Sequence, residues 1–363
     1  MARMKRHVLV LALSAVASLI GSVAEADQPA YPAPVEGDFI ARDFVFTSGD
    51  RAAEVKIHYR TVGTPRKDAD GVVRNGVLIL HGTGGNGRGF LSESYAGRLF
   101  GTGQPLDAEK YFIILPDNVG HGQSSKPSDG LRMKFPRYGY TDMVKLQHLL
   151  VTRGLGLTHL KLVMGTSMGA MHAWNWGYLF PDFAAGLMPL ASNPVEIGGR
   201  NRVWRKLLID AIVTDPTWKN GDYADQPRGL ASAIGFLMMA TSVPLQWQKQ
   251  FPTIAASDTW LADQIASRSK ATDANDMLYY FRAIEDYNPA PHLSKITAPL
   301  LAINSADDFV NPPELPMMQD LIKQVKKGRF VLLPITDATR GHGTHSLPAI
   351  WGQELVKFLM ELR

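Results

Sequence analysis

Along the chain, apolar residues gather into short, nearly continuous runs, separated by stretches in which they recur every three or four positions. The runs "EVKIHYRTVG", "VLILHG", "YFIILPD", "LKLVMG", "AAGLMPLAS", "APLLAIN" and "RFVLLPI" have strand length. Their unbroken Val, Ile and Leu content predicts strands covered on both faces. Between them, "TDMVKLQHLLVTRGL", "MGAMHAWNWGYLF", "PPELPMMQDLIKQVKKG" and "LPAIWGQELVKFLMELR" show helical spacing. This alternation predicts an α/β fold with a mostly parallel central sheet flanked by helices. It fails from about Asn193 to Pro291, which is rich in Trp, Met and Asp and holds helix-like pieces such as "NRVWRKLLIDAI" and "GLASAIGFLMM". That interval, 193–291, is expected to be a helical cap inserted between two parts of the core, 27–192 and 292–363.

Composition narrows the class. With 363 residues and 45% hydrophobic positions the chain can bury a large core. Its formal charge of +4 includes Arg3, Lys5 and Arg6, so the remainder is near neutral and no nucleic-acid partner is expected. Those basic residues open "MARMKRHVLVLALSAVASLIGSVAEADQ", in which an apolar run leads to small residues at Ala24 and Ala26. This is the pattern of a cleaved signal peptide, 1–26, and it predicts a periplasmic or secreted protein without stable membrane insertion after cleavage. The apolar run approaches the roughly 20 residues of a membrane span, so an uncleaved anchor is the alternative. A Pro-rich extended arm, 27–38, is expected to follow. The absence of cysteine excludes disulfides, a lipoprotein anchor and thiolate chemistry.

The chemistry centres on Ser167, which stands in "GTSMG" between an apolar run and a helical pattern. A G-x-S-x-G match is weak by itself. The strand, turn and helix around it are what a nucleophile elbow requires, because flanking glycines admit a strained serine where helix and strand cross. A serine hydroxyl needs a base and an orienting acid, expected in the order Ser, Asp, His. In "INSADDFVNPPE" both Asp307 and Asp308 qualify, and Pro312 four residues on favours Asp308. Asp307 then suits a turn or an N-cap. In "TRGHGTHSLPAIW" both His342 and His345 qualify, and the distance to the last helix favours His342. A metal held by the pair lacks a third ligand, so none is expected.

The oxyanion hole is expected from backbone amides of Met168 and of Thr83, or next Gly84, in "VLILHGTGGNG", with His81 orienting that loop. Gly82, Gly84 and Gly87 also satisfy the dinucleotide fingerprint G-x-G-x-x-G, but no acidic residue ends a second strand about twenty residues later. No cofactor is expected, and a dinucleotide-binding oxidoreductase is the lesser alternative. In "PDNVGHGQSSKP", His121 and Lys126 read as hydrogen-bonding loop residues, or Lys126 as a contact to a substrate carboxylate. His172, Trp174 and Trp176 read as packed.

From about Val77 to its end the chain resembles the homoserine O-acetyltransferase group of the α/β-hydrolase superfamily. The resemblance rests on "YTDMVKLQHLL", "SMGAMHAW", "AIVTDPTWKNGDY", "PRGLA", "DANDMLYYFRAIEDYNP" and "DDFVNPPE" in that order. It implies a Ser167, Asp308 and His342 triad, a helical cap and a homodimer formed through it. Two departures count against homoserine as acceptor. Ile209 stands where the group carries a carboxylate-binding arginine, and an isoleucine offers no charge-assisted fork. The export signal also separates the chain from cytoplasmic acetyl-CoA. A milder change is G-T-S-M-G-A for the group's G-G-S-M-G-G. The expectation is therefore an exported, esterase-type serine hydrolase cleaving a small-molecule acyl ester through an acyl-enzyme. Acyl transfer of the homoserine O-acetyltransferase type is the alternative, and an inactive binding protein is argued against by the intact residue set.

Overall fold

The computed structural model describes residues 31–362; the expected signal peptide and the first part of the arm lie outside the described residues. Eight strands form one sheet: β1 Val35–Val45, β2 Arg51–Val62, β3 Gly76–Leu80, β4 Phe112–Pro116, β5 Leu162–Thr166, β6 Leu187–Leu190, β7 Leu300–Ser305 and β8 Gly328–Leu333. Their spatial order is β1-β2-β4-β3-β5-β6-β7-β8. The two β2 pairings are antiparallel and all others parallel. Every residue of β3 to β7 is buried, which is why those strands read as continuous apolar runs.

Helices cover both faces. Before β6 come α1 Ala96–Leu99, α2 Tyr140–Leu149 and α3 Met168–Leu179. Between β6 and β7 stand α4 Gly199–Val213, α5 Gly229–Ala240, α6 Pro244–Gln250, α7 Ile254–Ala271 and α8 Ala274–Arg282, followed after β7 by α9 Met317–Leu321 and after β8 by α10 Pro348–Glu361. Trp351 and Phe358 of α10 pack with Ile79, Met164 and Ile303 on one face of the sheet. Trp174 and Trp176 of α3 pack with Val163 and Leu300 on the other.

The helices between β6 and β7 have their own apolar cluster, including Trp204, Ile212, Leu230 and Phe281. Polar bonds fix its register. Asp273 caps α8 by accepting from the amides of Asn275 and Asp276, and it also accepts from the Tyr223 hydroxyl at 2.8 Å. Asn275 accepts from the Trp218 indole N–H at 2.9 Å and donates to the Gly221 carbonyl at 2.9 Å. Two sequence stations, "DPTWKNGDY" and "DAND", are thereby two halves of one buried joint.

Three local readings differ from the structure. β1 was not anticipated: Glu36, Asp38, Arg42 and Asp43 interrupt its apolar pattern, as suits an antiparallel edge. Its first residues, Val35–Asp38, pair with β2 and so shorten the expected free arm. The long helix expected in "PPELPMMQDLIKQVKKG" contracts to α9 and one 3-10 turn, Ile322–Gln324, because Pro312, Pro313 and Pro316 cannot occupy a helix interior.

Candidate active site

β5 ends at Thr166 and α3 begins at Met168, so Ser167 alone makes the turn, with φ 54° and ψ −114°. A non-glycine residue there stores roughly 1–3 kcal/mol of strain, which the surrounding packing must hold. The glycines show how it is held. A Cβ on Gly165 would lie 2.2 Å from the Gly169 carbonyl oxygen, and one on Gly169 would lie 2.0 Å from that of Leu80. The G-x-S-x-G spacing is thus a condition for helix α3 to cross β5 and β3 at contact distance. It lifts the Ser167 hydroxyl above the carboxyl end of the sheet.

There the hydroxyl lies 2.8 Å from Nε2 of His342, whose Nδ1 lies 2.9 Å from Asp308 Oδ2. With Nδ1–H donating to the carboxylate, Nε2 is left to accept from the serine. Asp308 is only 1% exposed, and its carboxylate also accepts from the Val310 amide at 2.8 Å and the Asn311 side chain at 3.0 Å. Burial alone would raise this carboxyl. His342, followed by Asn311 and Val310, outweighs burial and holds it below the usual carboxylate range.

The neighbouring candidates sit one step back. Asp307 accepts from the Ser305 hydroxyl and, at 2.9 Å, from the Gly341 amide, so it braces the turn that carries His342. The His345 ring lies across His342 at 5.2 Å, bonded to Ser346, and desolvation followed by His342 pushes its pKa down to about 3. The structure brings Ser167, His342 and Asp308 into one line and leaves Asp307 and His345 beside it.

The loop after β3 lies over the serine. A Cβ on Gly82 would be 3.3 Å from that of Ser167, and Thr83 lines the same cavity. Met168, the other expected donor, is the first helical residue, so its amide has no acceptor within the helix. His81 orients the loop: Nε2 accepts from the Asn118 amide at 3.0 Å, leaving Nδ1–H to donate to the Gly82 carbonyl at 2.9 Å. Burial lowers its pKa and keeps the ring neutral. The chain of bonds continues through the Asn118 side chain to Gln147, which reaches His172 at 3.0 Å and accepts from the Trp176 indole at 2.8 Å. Trp174 is fully buried and donates to Ser192.

The dinucleotide reading of Gly82, Gly84 and Gly87 finds no support in this geometry. The loop enters a single 3-10 turn, Gly87–Leu91, and not a helix whose N-terminus could meet a pyrophosphate. Gly87 packs against β4, where a Cβ would lie 2.3 Å from the Leu115 carbonyl oxygen. Lys126 pairs with Asp129 at 2.7 Å, and His121 stacks on Tyr280 at 4.9 Å. No group of three metal-ligating side chains occurs among the described residues.

Ser167 and His342 open on a cavity of about 440 Å³ whose wall includes Trp204 and Arg205 of α4, Leu237 of α5, Arg268 of α7 and Phe281 of α8. Ile209 packs into the helical cluster and is not in that wall. Sequence reasoning passed over Arg205. Its signal was an arginine at position 205 in a buried stripe continued by Leu208, Ile209 and Ile212, where helical spacing calls for an apolar residue.

Comparison with known proteins fits this geometry. A family model described as alpha/beta hydrolase fold matches residues 75–332. The homoserine O-acetyltransferase of Trichormus variabilis is 30% identical over 317 residues, covering 78% of this chain and 84% of that protein. The homoserine O-acetyltransferase of Bacillus anthracis superposes with TM-score 0.79 at 22% identity, over 90% of this chain and 98% of that one. Esterase E22 does so with TM-score 0.79 at 20% identity, over 90% and 100%. At such identities the two structures speak for the fold alone. The sequence relatives overturn the expectation of an exported esterase, because proteins matched along most of their length are named for O-acetyl transfer. Ile209 was one position weighed against that whole length, and acyl transfer, the alternative, fits better.

Proposed function

The chain belongs to the α/β-hydrolase fold family, in its homoserine O-acetyltransferase-like branch, as an enzyme acting on acyl groups, and from that premise we propose that it is an acyltransferase working through an acyl-Ser167 intermediate. His342 Nε2 takes the proton of the Ser167 hydroxyl as Oγ attacks the acyl carbonyl of an activated ester or thioester. The proton passes to the departing group, which leaves the acyl-enzyme. A small alcohol then enters, His342 takes its hydroxyl proton, and the alkoxide oxygen receives the acyl group while Ser167 recovers a proton. Asp308 holds the imidazole in the required tautomer and offsets its positive charge. The Thr83 and Met168 amides stabilise the oxyanion in both halves.

What carries the reading is the hydrogen-bonded line from Asp308 through His342 to Ser167 at the floor of a walled cavity, in a chain whose relatives are named for acyl transfer. The test is partition of one acyl-enzyme. With acetyl-CoA or p-nitrophenyl acetate as donor and homoserine as acceptor, O-acetylhomoserine should form and should outpace acetate release as homoserine is raised. If acetate remains the sole acyl product at every homoserine concentration, the reading is wrong.

A further inference from the structure

One cap helix, α8, reaches the oxyanion loop as well as the cavity wall. Asp276 and Tyr280 stand four residues apart on it and both meet the core. Asp276 accepts from the Ser128 amide at 2.8 Å and the Ser128 hydroxyl at 2.7 Å, which seats α8 on the loop after β4. Tyr280 stacks on the His121 ring, with centroids 4.9 Å apart and planes 28° from parallel. The His121 ring lies 5.0 Å from that of His81. His121 is buried, its Nδ1–H donates to the Val119 carbonyl at 3.1 Å, and its Nε2 has no hydrogen-bond partner. Burial, followed by His81, pushes its pKa down to about 3, so the ring is neutral and acts on Tyr280 and His81 by packing. Neither His121 nor Tyr280 lines the serine cavity.

The row of rings ends on one peptide. The Gly82 carbonyl accepts from His81 Nδ1 at 2.9 Å and from the Gly85 amide at 3.0 Å. That carbonyl and the Thr83 N–H are opposite edges of one planar trans peptide, so holding the first aims the second. The cap also touches the next residue: Gly84 has φ 72°, and a Cβ there would lie 3.6 Å from the Tyr280 hydroxyl oxygen. We propose that His121 and Tyr280 are positioning residues for the oxyanion hole: the row Tyr280, His121, His81 ties the seating of α8 to the aim of the Thr83 amide. Cap and oxyanion hole are then set together, and a cap lifted from the core leaves the amide without its aim. The inference rests on the acyl-Ser167 reading. An oxyanion forms both when the acyl-enzyme is made and when it is consumed, so a misaimed amide lowers kcat whichever half limits the rate, and leaves ground-state binding unchanged.

The test pairs p-nitrophenyl acetate kinetics with amide hydrogen exchange of the segment 81–87, followed by mass spectrometry. Outright loss of an oxyanion donor costs about 10²–10³-fold in kcat, so in His121→Ala and Tyr280→Leu, where the donor is kept but misaimed, kcat should fall at least about tenfold with KM within about twofold. In both, exchange of the segment should speed up. His121→Phe restores a flat ring without imidazole nitrogens, and it should return kcat to within about threefold of wild type and exchange to the wild-type rate. The proposal is overturned by wild-type kcat in a folded Tyr280→Leu protein, by a loss confined to KM, by His121→Phe as impaired as His121→Ala, or by unchanged exchange of the segment. If His121→Ala does not fold by circular dichroism, Tyr280→Leu decides on the same criteria. Exchange needs no turnover, so the two claims separate: retained activity in Ser167→Ala sinks the acyl-enzyme reading, while the response of the segment still judges the row of rings.

Discussion

At the scale of single residues, Asp308 is a carboxylate buried at 1% exposure that keeps its charge because His342, Asn311 and Val310 all face it. Replacing it by Asn keeps the shape but removes the partner that fixes the imidazole tautomer, and kcat should drop by about 10⁴-fold. Steady-state rates on a variant with wild-type circular dichroism check this. The sign of the pH effect follows from the lowered pKa. Ionised Asp308 stabilises the fold above the unfolded carboxylate value near pH 4, and that contribution is lost only as pH falls through the still lower folded value. The acid limb of kcat/KM should therefore show no carboxyl inflection from Asp308 at or above about pH 4. Much of this was legible in the chain: Ser167, Asp308 and His342 were favoured from their order and spacing, and they are the residues found in contact. The division of labour was not legible, since only three dimensions reveal that Asp307 braces the Gly341 amide.

At the scale of elements, the crossing of β5, α3 and β3 depends on missing side chains. Gly165→Ala forces a Cβ to 2.2 Å from a backbone oxygen that cannot move without shifting α3, a cost expected to exceed about 4 kcal/mol. Gly235→Ala is the control. It lies inside α5 with open space around it, so it should stabilise by roughly 0.5–1 kcal/mol through helix propensity. Thermal unfolding of the pair should show a large fall in Tm for the first and a small rise for the second; similar shifts in both would contradict the packing argument. The elements themselves were legible in proportion to burial. Strands β3 to β7 announced themselves because both faces are covered, while charged β1 stayed hidden and α9 was overdrawn because helical spacing masked the force of three prolines.

At the scale of the whole molecule, the proposed function depends on bringing together residues 167, 308 and 342 under a roof of helices inserted between two neighbouring strands. The chain discloses the insertion, because the alternation of runs stops there. It does not disclose which buried roof residues line the cavity below, since the one buried face of α4 supplies both the helical cluster and the cavity wall. Arg205 was missed for that reason, and it stands in the cavity wall with Trp204 and Phe281. The central claim is that this convergence activates one hydroxyl. Brief exposure to radiolabelled p-nitrophenyl acetate, acid quench and peptide mapping tests it most directly. The label should approach one acetyl per chain on the peptide containing Ser167 and should be lost in His342→Ala; label on another residue, or undiminished label in His342→Ala, would contradict the account.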